Sequence, residues 1–187
     1  MRLFTLMSVV LAVAAIAPKS GAALQFTDFQ SINGLTLAGV AAQHDTVLRL
    51  TPSDDRLAGA AWYTQKQTVV NGFEVTFQLQ ITDMAREHSG WPKDGGDGLA
   101  FVVQNSSVSA LGGYGQGLGY APENDPGIAN SLAVAFDTFR NIYPPTEADS
   151  NHISIQSMGV AENSEDPLLA LGYTNTLVSR IDDGFVH

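Results

Sequence analysis

Side chains able to hold a metal ion are concentrated in the last third of the chain. Asp137 is followed four residues later by Asn141, and the carboxylates of Glu147 and Asp149 come within the next eight residues. Because side chains alternate across an extended backbone, Asp137, Phe139 and Asn141 would all leave it on one face, whereas Thr138 and Arg140 would point away. Carboxylate and amide oxygens, together with the backbone carbonyl of Phe139, are ligands that a hard cation prefers. The stretch therefore predicts a calcium site, with Asp149 or Glu147 returning from the loop as a further ligand.

The same residue types also form turns after strands without any metal, so this stretch alone leaves both interpretations open. A second acidic stretch favours the metal interpretation, because residues 93–104 form a glycine-rich turn that carries Asp97 into an apolar run. A third stretch, residues 112–119, contains five glycines and little side-chain bulk. It can bring backbone N–H groups, such as those of Gly115 and Gly117, close to a ligand. The alternative for this third stretch is a flexible connector.

These side chains need a rigid scaffold, and the sequence contains strands that can build one. Apolar and polar residues alternate over residues 73–81 and 132–137, which is the period of a half-buried strand. No long stretch after residue 23 has the three-and-four spacing of an amphipathic helix. The pattern predicts an all-β fold, an antiparallel sandwich of two sheets. Shorter strand-like runs lie at residues 26–32, 35–37, 47–50, 58–64, 99–104, 153–158 and 179–186, with a charged surface loop at residues 82–96.

The first residues of the chain have the composition of a secretory signal peptide. Arg2 precedes an apolar run of about fifteen residues, which is shorter than a membrane-spanning helix needs, and small residues follow at positions 21–23. We expect residues 1–23 to be removed by cleavage after Ala23, which would place the protein outside the cytoplasm, secreted or at the cell surface. Residues 24–187 would then form a single domain. Because the chain has no cysteine, packing, sheet hydrogen bonds and a bound ion must give the stability that disulfides often give a secreted protein.

The charge of the chain limits its partners. Lysine and arginine number 9 and aspartate and glutamate 19, which gives a formal net charge of −10. Nucleic acids and anionic membranes require a basic surface, so we expect neither as a partner. Neutral sugars and divalent cations are compatible with this charge. The sequence leaves the oligomeric state open, a homo-oligomer included.

Three motifs give the chain a family resemblance. The run DGLAF is followed some thirty residues later by AVAFDTFRN and then by NHISI, and the segments FTDF, NGLTLAG and VLRLT precede them in that order. With these motifs the chain resembles the legume-type (L-type) lectins, calcium-dependent carbohydrate-binding proteins with a concanavalin A-like jelly-roll β-sandwich. The resemblance implies a secreted, non-catalytic, calcium-dependent lectin whose partners are glycans or glycoconjugates.

The resemblance also implies roles for single residues. Asp97, in the DGLAF motif, matches the aspartate that accepts hydrogen bonds from two adjacent sugar hydroxyls. Asn141 matches the asparagine that binds calcium through its carbonyl and donates its amide to the sugar. Phe139 matches the aromatic residue that stacks on the sugar while its backbone carbonyl binds calcium, and Gly115 or Gly117 would donate a backbone N–H. Such a set suits a sugar, whose hydroxyls both donate and accept and whose ring has an apolar face. The implied calcium ligands are Asp137, Phe139, Asn141 and either Asp149 or Glu147.

Several features depart from the family pattern. Plant members have a glutamate that binds a transition metal where this chain has Ala135, so we expect calcium without a tight transition-metal site. His152 stands at the family's histidine ligand, but a lone histidine more often packs through hydrogen bonds. We prefer Asp149 to Glu147 as the loop ligand because the family residue is an aspartate. The chain ends at His187, where family members continue for several further strands, so we expect the C-terminal strands of the domain to be missing.

Two other functions are compatible with a sandwich fold. Glycoside hydrolases need two carboxylates about 5 to 9 Å apart that flank the scissile bond. In the hydrolases that resemble this fold, the acids alternate along one strand, whereas Ala133, Ala135 and Phe136 occupy the comparable strand here, so we expect no catalysis. The other alternative is a structural or adhesive module with a vestigial sugar site. Such a module would retain glycans equally well after Asp97→Ala.

Overall fold

The computed structural model describes residues 8–18, 24–82, 96–144, 146–177 and 179–187. In these ranges the regular structure is β-strand apart from two single-turn 3-10 helices, Gly115–Gly117 and Pro167–Leu169. Neither helix in this part of the chain has the length and apolar character that a membrane crossing requires. The strands are β1 (Ser8–Pro18), β2 (Leu24–Phe26), β3 (Leu35–Gly39), β4 (Ala42–His44), β5 (Val47–Thr51), β6 (Gly59–Tyr63), β7 (Phe73–Thr82), β8 (Gly98–Gln104), β9 (Ser131–Asp137), β10 (His152–Gln156) and β11 (Gly172–Thr174).

The strands form two main sheets and one small one. In the first sheet β1 pairs with β7 through ten residue pairs and also with β2 and β5, and β4 pairs with β5. The second sheet has the order β11-β10-β9-β8, and β3 pairs with β6 in a two-stranded ribbon. All of these pairings are antiparallel. The predicted all-β, antiparallel sandwich is therefore confirmed.

Strand β9 lies between β8 and β10 and is covered on both faces. The predicted alternation is present, but the most buried face is the one with small residues. Ala133 and Ala135 are 0% and 1% exposed, whereas Phe136 on the opposite face is half-buried. The alanines pack against Tyr120, and Phe136 packs against the cluster that contains Leu99. Small side chains thus let the segment after the glycine-rich stretch lie directly on the strand.

Two apolar clusters hold the layers together. The first joins the two main sheets, because Leu79 and Ile81 of β7 pack with Leu99 of β8 and with Ile181. The second lies on the other face of the second sheet, where Tyr120, Ala121 and Ile128 cover Ala133 and Ala135. Burying one side chain of the size of leucine contributes about 1.5–3 kcal/mol. The second sheet is therefore fixed from both sides, and so is the edge at which β9 ends.

The predicted strands agree with the structure except in short or turn-rich segments. Of the predicted run at residues 26–32, only Phe26 lies in a strand, because the chain then turns where Asp28 Oδ1 accepts from the Gln30 amide at 3.0 Å. Strands β4 and β11, of three residues each, were not predicted. Residues 179–186 were predicted to be a strand but form turns. The reason is local: Asp183 Oδ1 accepts a hydrogen bond from the Phe185 amide, and Gly184 has a positive φ of 84°. A turn of this kind ends an extended backbone.

The N-terminal segment is described in part. Strand β1 lies within the segment that we predict to be a signal peptide, and its cleavage stays a prediction. The same is true of the boundary at residue 24 and of the expected further strands. Residues 19–23, around the predicted cleavage site, lie outside the described residues, as does most of the predicted surface loop at 82–96.

Candidate functional site

An acidic cluster lies at the edge of the second sheet where β9 ends and β8 and β10 begin. The strand register places Asp137, the last residue of β9, opposite Gly98 of β8 and His152 of β10. One possible ligand atom from each of Asp137, Glu147 and His152 lies within 4.8 Å of the other two. All three side chains are buried. Strand pairing thus positions Asp137 and His152, and the β9–β10 loop (residues 138–151) brings in Glu147.

Hydrogen bonds within the β9–β10 loop hold Asn141 and Glu147 together. The backbone amide of Asn141 donates to Glu147 Oε2 at 2.6 Å, and the backbone amide of Glu147 donates to the backbone carbonyl of Asn141 at 2.9 Å. At the start of the loop, Asp137 Oδ1 accepts from the Phe139 amide at 3.0 Å. Arg140, which was predicted to point away from the site, donates from Nε to the Glu147 carbonyl at 3.2 Å. The predicted ligands Asp137, Phe139, Asn141 and Glu147 therefore share one connected loop.

Asp149 belongs to a neighbouring group of hydrogen bonds. Its Oδ2 accepts from the Tyr173 hydroxyl at 2.5 Å and from Asn175 Nδ2 at 3.0 Å, and its Oδ1 lies 3.2 Å from His152 Nδ1. Partial burial raises the pKa of Asp149, but the hydrogen bonds from Tyr173 and Asn175 outweigh it, so the pKa lies below its usual value. The family residue predicts Asp149 as the loop ligand, but the carboxylate that clusters with Asp137 and His152 is that of Glu147.

The ionised Asp149 fixes the protonation of His152. Burial lowers the pKa of His152, although Asp149 offsets part of this effect, so the neutral ring is favoured. Because an ionised carboxylate only accepts hydrogen bonds, Nδ1 carries the proton, and the other ring nitrogen keeps its lone pair. The ring also packs on Tyr173 with a centroid distance of 4.8 Å. His152 was expected to pack through hydrogen bonds, and it makes such contacts, but it opens strand β10 next to two carboxylates.

The buried carboxylates of the cluster disfavour one another's charge. Burial raises the pKa of Asp137 well above its usual value, and the nearby Glu147 raises it further. Burial likewise raises the pKa of Glu147 from 4.5 to about 7, although the hydrogen bond from the Asn141 backbone amide acts in the opposite direction. Two buried carboxylates this close are unfavourable unless a proton or a cation neutralises them. The cluster is therefore a place where either a proton or a cation can be held.

Asp97 is tied to the start of the same loop by Thr138. The Thr138 amide donates to the Asp97 carbonyl at 3.0 Å, and its hydroxyl donates to the Gly96 carbonyl at 2.9 Å. Thr138, which was predicted to point away from the site, is 0% exposed. Burial raises the pKa of Asp97, Glu123 raises it further, and the Asn141 side chain offsets part of the rise. Asp97 and Asn141, forty-four residues apart in sequence, are therefore neighbours.

The Asn141 side chain has an unused donor beside Asp97. Its Nδ2 atom is buried and has no hydrogen-bond partner among the described residues. As a donor, the Asn141 side chain lowers the pKa of both Asp97 and Glu147, but its Nδ2 does not reach hydrogen-bond geometry with either carboxylate. A buried polar atom without a partner costs about 1–3 kcal/mol. Such an atom is expected where a ligand completes the hydrogen bond.

A cavity of about 1060 Å³ opens beside this donor. Its lining includes Asp97, Asn141, Tyr114, Gly115, Gln116 and Glu123, together with apolar residues of β6 and β8. Gly117 and Phe139, which we predicted to contact a sugar, do not line this cavity. The Gly117 amide donates instead to the Tyr114 carbonyl at 3.2 Å. Of the five predicted sugar-binding residues, the cavity brings together Asp97, Gly115 and Asn141.

The glycine-rich stretch is held by hydrogen bonds and close backbone packing. The Gly112 amide donates to the Gly119 carbonyl at 2.8 Å, and the Gly113 amide donates to the Ala121 carbonyl at 2.9 Å. A Cβ atom at Gly112 would lie 2.6 Å from the backbone carbon of Tyr120, and one at Gly115 would lie 2.6 Å from Glu123 Oε2. Gly112 is required because the backbone of Tyr120 cannot move aside, and Gly115 is favoured because its φ of 63° lies in the left-handed region. The stretch is a shaped wall of the cavity instead of a flexible connector.

Glu123 and the partners of Asp149 were not predicted from the sequence. Glu123 follows the glycine-rich stretch closely, and an acidic residue there is a weak signal for the cavity. Tyr173 and Asn175 reach Asp149 through the pairing of β10 with β11, a strand too short to be predicted. Their roles therefore follow from the fold and have no local motif.

Comparison with known proteins identifies the family. A family model described as the legume lectin domain matches residues 22–176, which is most of the chain. The comparison with curated proteins returned no match. The matched segment contains the acidic cluster, the glycine-rich stretch and both main sheets after β1. The chain therefore belongs to the legume lectin family of carbohydrate-binding proteins.

Proposed function

We propose that the protein is a calcium-dependent, non-catalytic lectin that binds a sugar where Asp97, Gly115 and Asn141 line the cavity. The observation that carries this proposal is the position of Asn141. Its backbone amide is bound to Glu147 in the acidic cluster, while its side-chain Nδ2 is buried without a partner beside Asp97. One residue thus connects the place suited to a cation with the place suited to a hydroxyl group.

The residues of the cluster fit a calcium ion. Legume lectins generally bind calcium and a transition metal. Asp137 and Glu147 are buried carboxylates that can supply oxygen ligands. Their raised pKa values mean that their surroundings disfavour the negative charge. Such oxygen donors are the ligands that calcium prefers. We propose that Asp137, Asn141, Glu147 and the Phe139 carbonyl hold the ion, with Asp149 orienting His152 from outside.

The residues that line the cavity have complementary roles toward a sugar. Asp97 would accept hydrogen bonds from sugar hydroxyls, and Asn141 Nδ2 would donate one. Gly115 would let the backbone lie close to the ring, because its left-handed backbone conformation favours a residue without a side chain. Tyr114 supplies an aromatic surface to the same lining. The carboxylates of Asp97 and Glu123 repel anionic groups, so a neutral sugar suits this site better than an acidic one.

A tight transition-metal site is not part of the proposal. Ala135 lies on β9 two residues before Asp137, so both side chains are on the same face. It is 1% exposed and packs in an apolar cluster. The position therefore contributes no carboxylate to a second ion. His152 keeps a lone pair on one ring nitrogen, so a transition metal could bind Asp137, Glu147 and His152, but the described residues place no further carboxylate or histidine in this cluster. Loss of a single ligand weakens such a site considerably.

The two alternatives receive less support. On the face of β9 that Tyr120 covers, Ala133 and Ala135 take the places where a hydrolase of similar fold would carry acids. A vestigial site would have no reason to keep the buried Nδ2 of Asn141 unpaired beside Asp97, because that arrangement costs stability. We further propose secretion, on the composition of residues 1–23.

Glycan retention tests the proposed function. The full chain is passed over a panel of immobilised neutral and acidic glycans with calcium and again with a chelator. We expect retention of a neutral glycan only with calcium, loss of retention in Asp97→Asn, and full retention in the surface variant Asp183→Asn. Retention that is unchanged by the chelator would refute calcium dependence. Equal retention by Asp97→Asn and the parent would refute the sugar site.

A further inference from the structure

A guanidinium group joins the two ends of the β9–β10 loop. Arg180 Nη2 donates to the Thr138 carbonyl at 3.2 Å and to the Ser150 carbonyl at 3.3 Å. Its Nη1 donates to Ser150 Oγ at 3.2 Å. Thr138 is the first residue of the loop, and Ser150 lies two residues before His152. Arg180 therefore sets the separation of the two strand ends between which the cation ligands are held.

A buried carboxylate orients this guanidinium. Asp182 Oδ1 accepts from Arg180 Nε at 2.8 Å, and Asp182 Oδ2 accepts from Nη2 at 3.0 Å. The Asp182 side chain is 0% exposed, whereas that of Arg180 is 35% exposed. A two-point pair between a planar fork and a carboxylate fixes direction as well as distance. Lysine has a single ammonium group on a flexible stem and does not reproduce this geometry.

A second set of bonds connects the same segment to the loop. The Ile181 amide donates to Asn151 Oδ1 at 3.1 Å, and Asn151 Nδ2 donates to the Ser179 carbonyl at 3.1 Å. Ile181 is itself 6% exposed and packs in the cluster that joins the two main sheets. Residues 179–182 are therefore anchored in the core, and their hydrogen bonds to Asn151 hold the end of the β9–β10 loop in place.

We propose that Arg180 and Asp182 are positioning residues for cation and sugar binding. The proposal rests on the proposed function. By fixing Thr138 and Ser150, Arg180 keeps Asp137, Asn141 and Glu147 at the separation a cation requires. Thr138 also bonds to the Asp97 carbonyl, so the same contact extends to the sugar-binding carboxylate. Outer groups that orient metal ligands in this way typically change metal affinity 10–100-fold.

The test separates positioning of the loop from general stabilisation of the fold. Calcium affinity is measured by calorimetry for the parent, Arg180→Lys and Asp182→Asn, and melting temperatures are measured with calcium and with chelator. We expect calcium affinity to fall on the order of tenfold in both variants. The rise in melting temperature on adding calcium should shrink as well. A residue that only stabilises the fold would lower both melting temperatures equally and leave that rise unchanged.

Matched controls are available in the chain. Arg56→Lys alters an arginine that pairs with Asp55 in an exposed position, and Asp183→Asn alters the carboxylate next to Asp182. Both should bind calcium like the parent. Ser150→Ala removes only the hydroxyl contact to Arg180 and serves as a second variant if Asp182→Asn does not fold. We expect it to lower calcium affinity about threefold, which is less than the effect of Arg180→Lys.

The outcomes distinguish this proposal from the proposed function. If the parent binds no calcium, both are refuted. If the parent binds calcium, and Arg180→Lys and Ser150→Ala bind it equally well, only the positioning role is refuted. Weaker calcium binding in these variants, with both controls unchanged, supports it.

Discussion

Replacing Glu147 by glutamine gives a prediction whose sign depends on calcium. Glutamine keeps the shape of the side chain and an oxygen that accepts the Asn141 amide, but it removes the charge. In the calcium-free protein, the pKa of Glu147 rises from 4.5 to about 7, chiefly through burial. The folded state therefore holds its proton to a higher pH than the unfolded chain does. Between these two pH values stability falls as the pH rises.

The size of the effect follows from that pKa change. One pKa unit corresponds to about 1.4 kcal/mol, and the side chain is only 3% exposed, although screening by water near the loop reduces the penalty. We therefore expect Glu147→Gln to stabilise the calcium-free protein by about 1–2 kcal/mol at pH 7.5. For a chain of this length, that corresponds to a rise in melting temperature of roughly 2–8 °C. The gain should shrink as the pH falls from 7 toward 4.5, because Glu147 is then protonated in the folded state.

The assay is thermal unfolding followed by circular dichroism on calcium-stripped protein between pH 4.5 and 7.5. The same scan with saturating calcium should reverse the order, because the variant lacks a ligand carboxylate and gains less from the ion. Glu74→Gln, at an exposed position of β7, is the matched control and should not change the melting temperature at any pH. A Glu147→Gln protein that melts below the parent without calcium at pH 7.5 would refute the reasoning about the cluster.

Three further predictions concern other parts of the account. Asn141→Ala should lose both calcium affinity and glycan retention, and calorimetry that finds parent-like calcium affinity would contradict its shared role. Gly112→Ala should lower the melting temperature by several degrees, because its Cβ would lie 2.6 Å from the Tyr120 backbone, whereas Gly172→Ala, with its nearest neighbour at 3.7 Å, should be tolerated. Mass spectrometry of the exported protein should give an N-terminus at Leu24, and an intact Met1 would refute the signal peptide.

Strand patterns were predictable from the sequence where they are long and regular. The alternation in β7 and β9 and the place where β9 ends at Asp137 follow from residue types alone. The more buried face of β9 was not predictable, because it depends on Tyr120 packing onto Ala133 and Ala135 from a distant segment.

The site was predictable in its parts but not in its arrangement. The motifs identify Asp97, Asp137 and Asn141, and the structure brings them to one edge. The choice between Glu147 and Asp149 was not predictable, since the β9–β10 loop has no periodicity and both carboxylates lie within reach. Only the folded loop shows that Glu147 bonds to the Asn141 amide while Asp149 bonds to Tyr173.

The contacts of residues 179–182 were also out of reach of sequence reasoning. Arg180 donates a hydrogen bond to Thr138, forty-two residues earlier in the chain, and no local sequence pattern predicts this contact. The segment was predicted to be a strand. Its turns instead direct Arg180 toward the loop and Ile181 into the core.

The central claim is that Asn141 couples a cation site to a sugar site, and calcium calorimetry with and without sugar tests it most directly. Coupled sites must affect each other's affinity equally, and such couplings are commonly 5–150-fold. With a glycan identified by retention, we predict that calcium binds the parent about fivefold or more tightly when the sugar is present. The coupling should disappear in Asp97→Asn. Calcium affinity that is the same with and without a saturating, retained sugar would contradict the account.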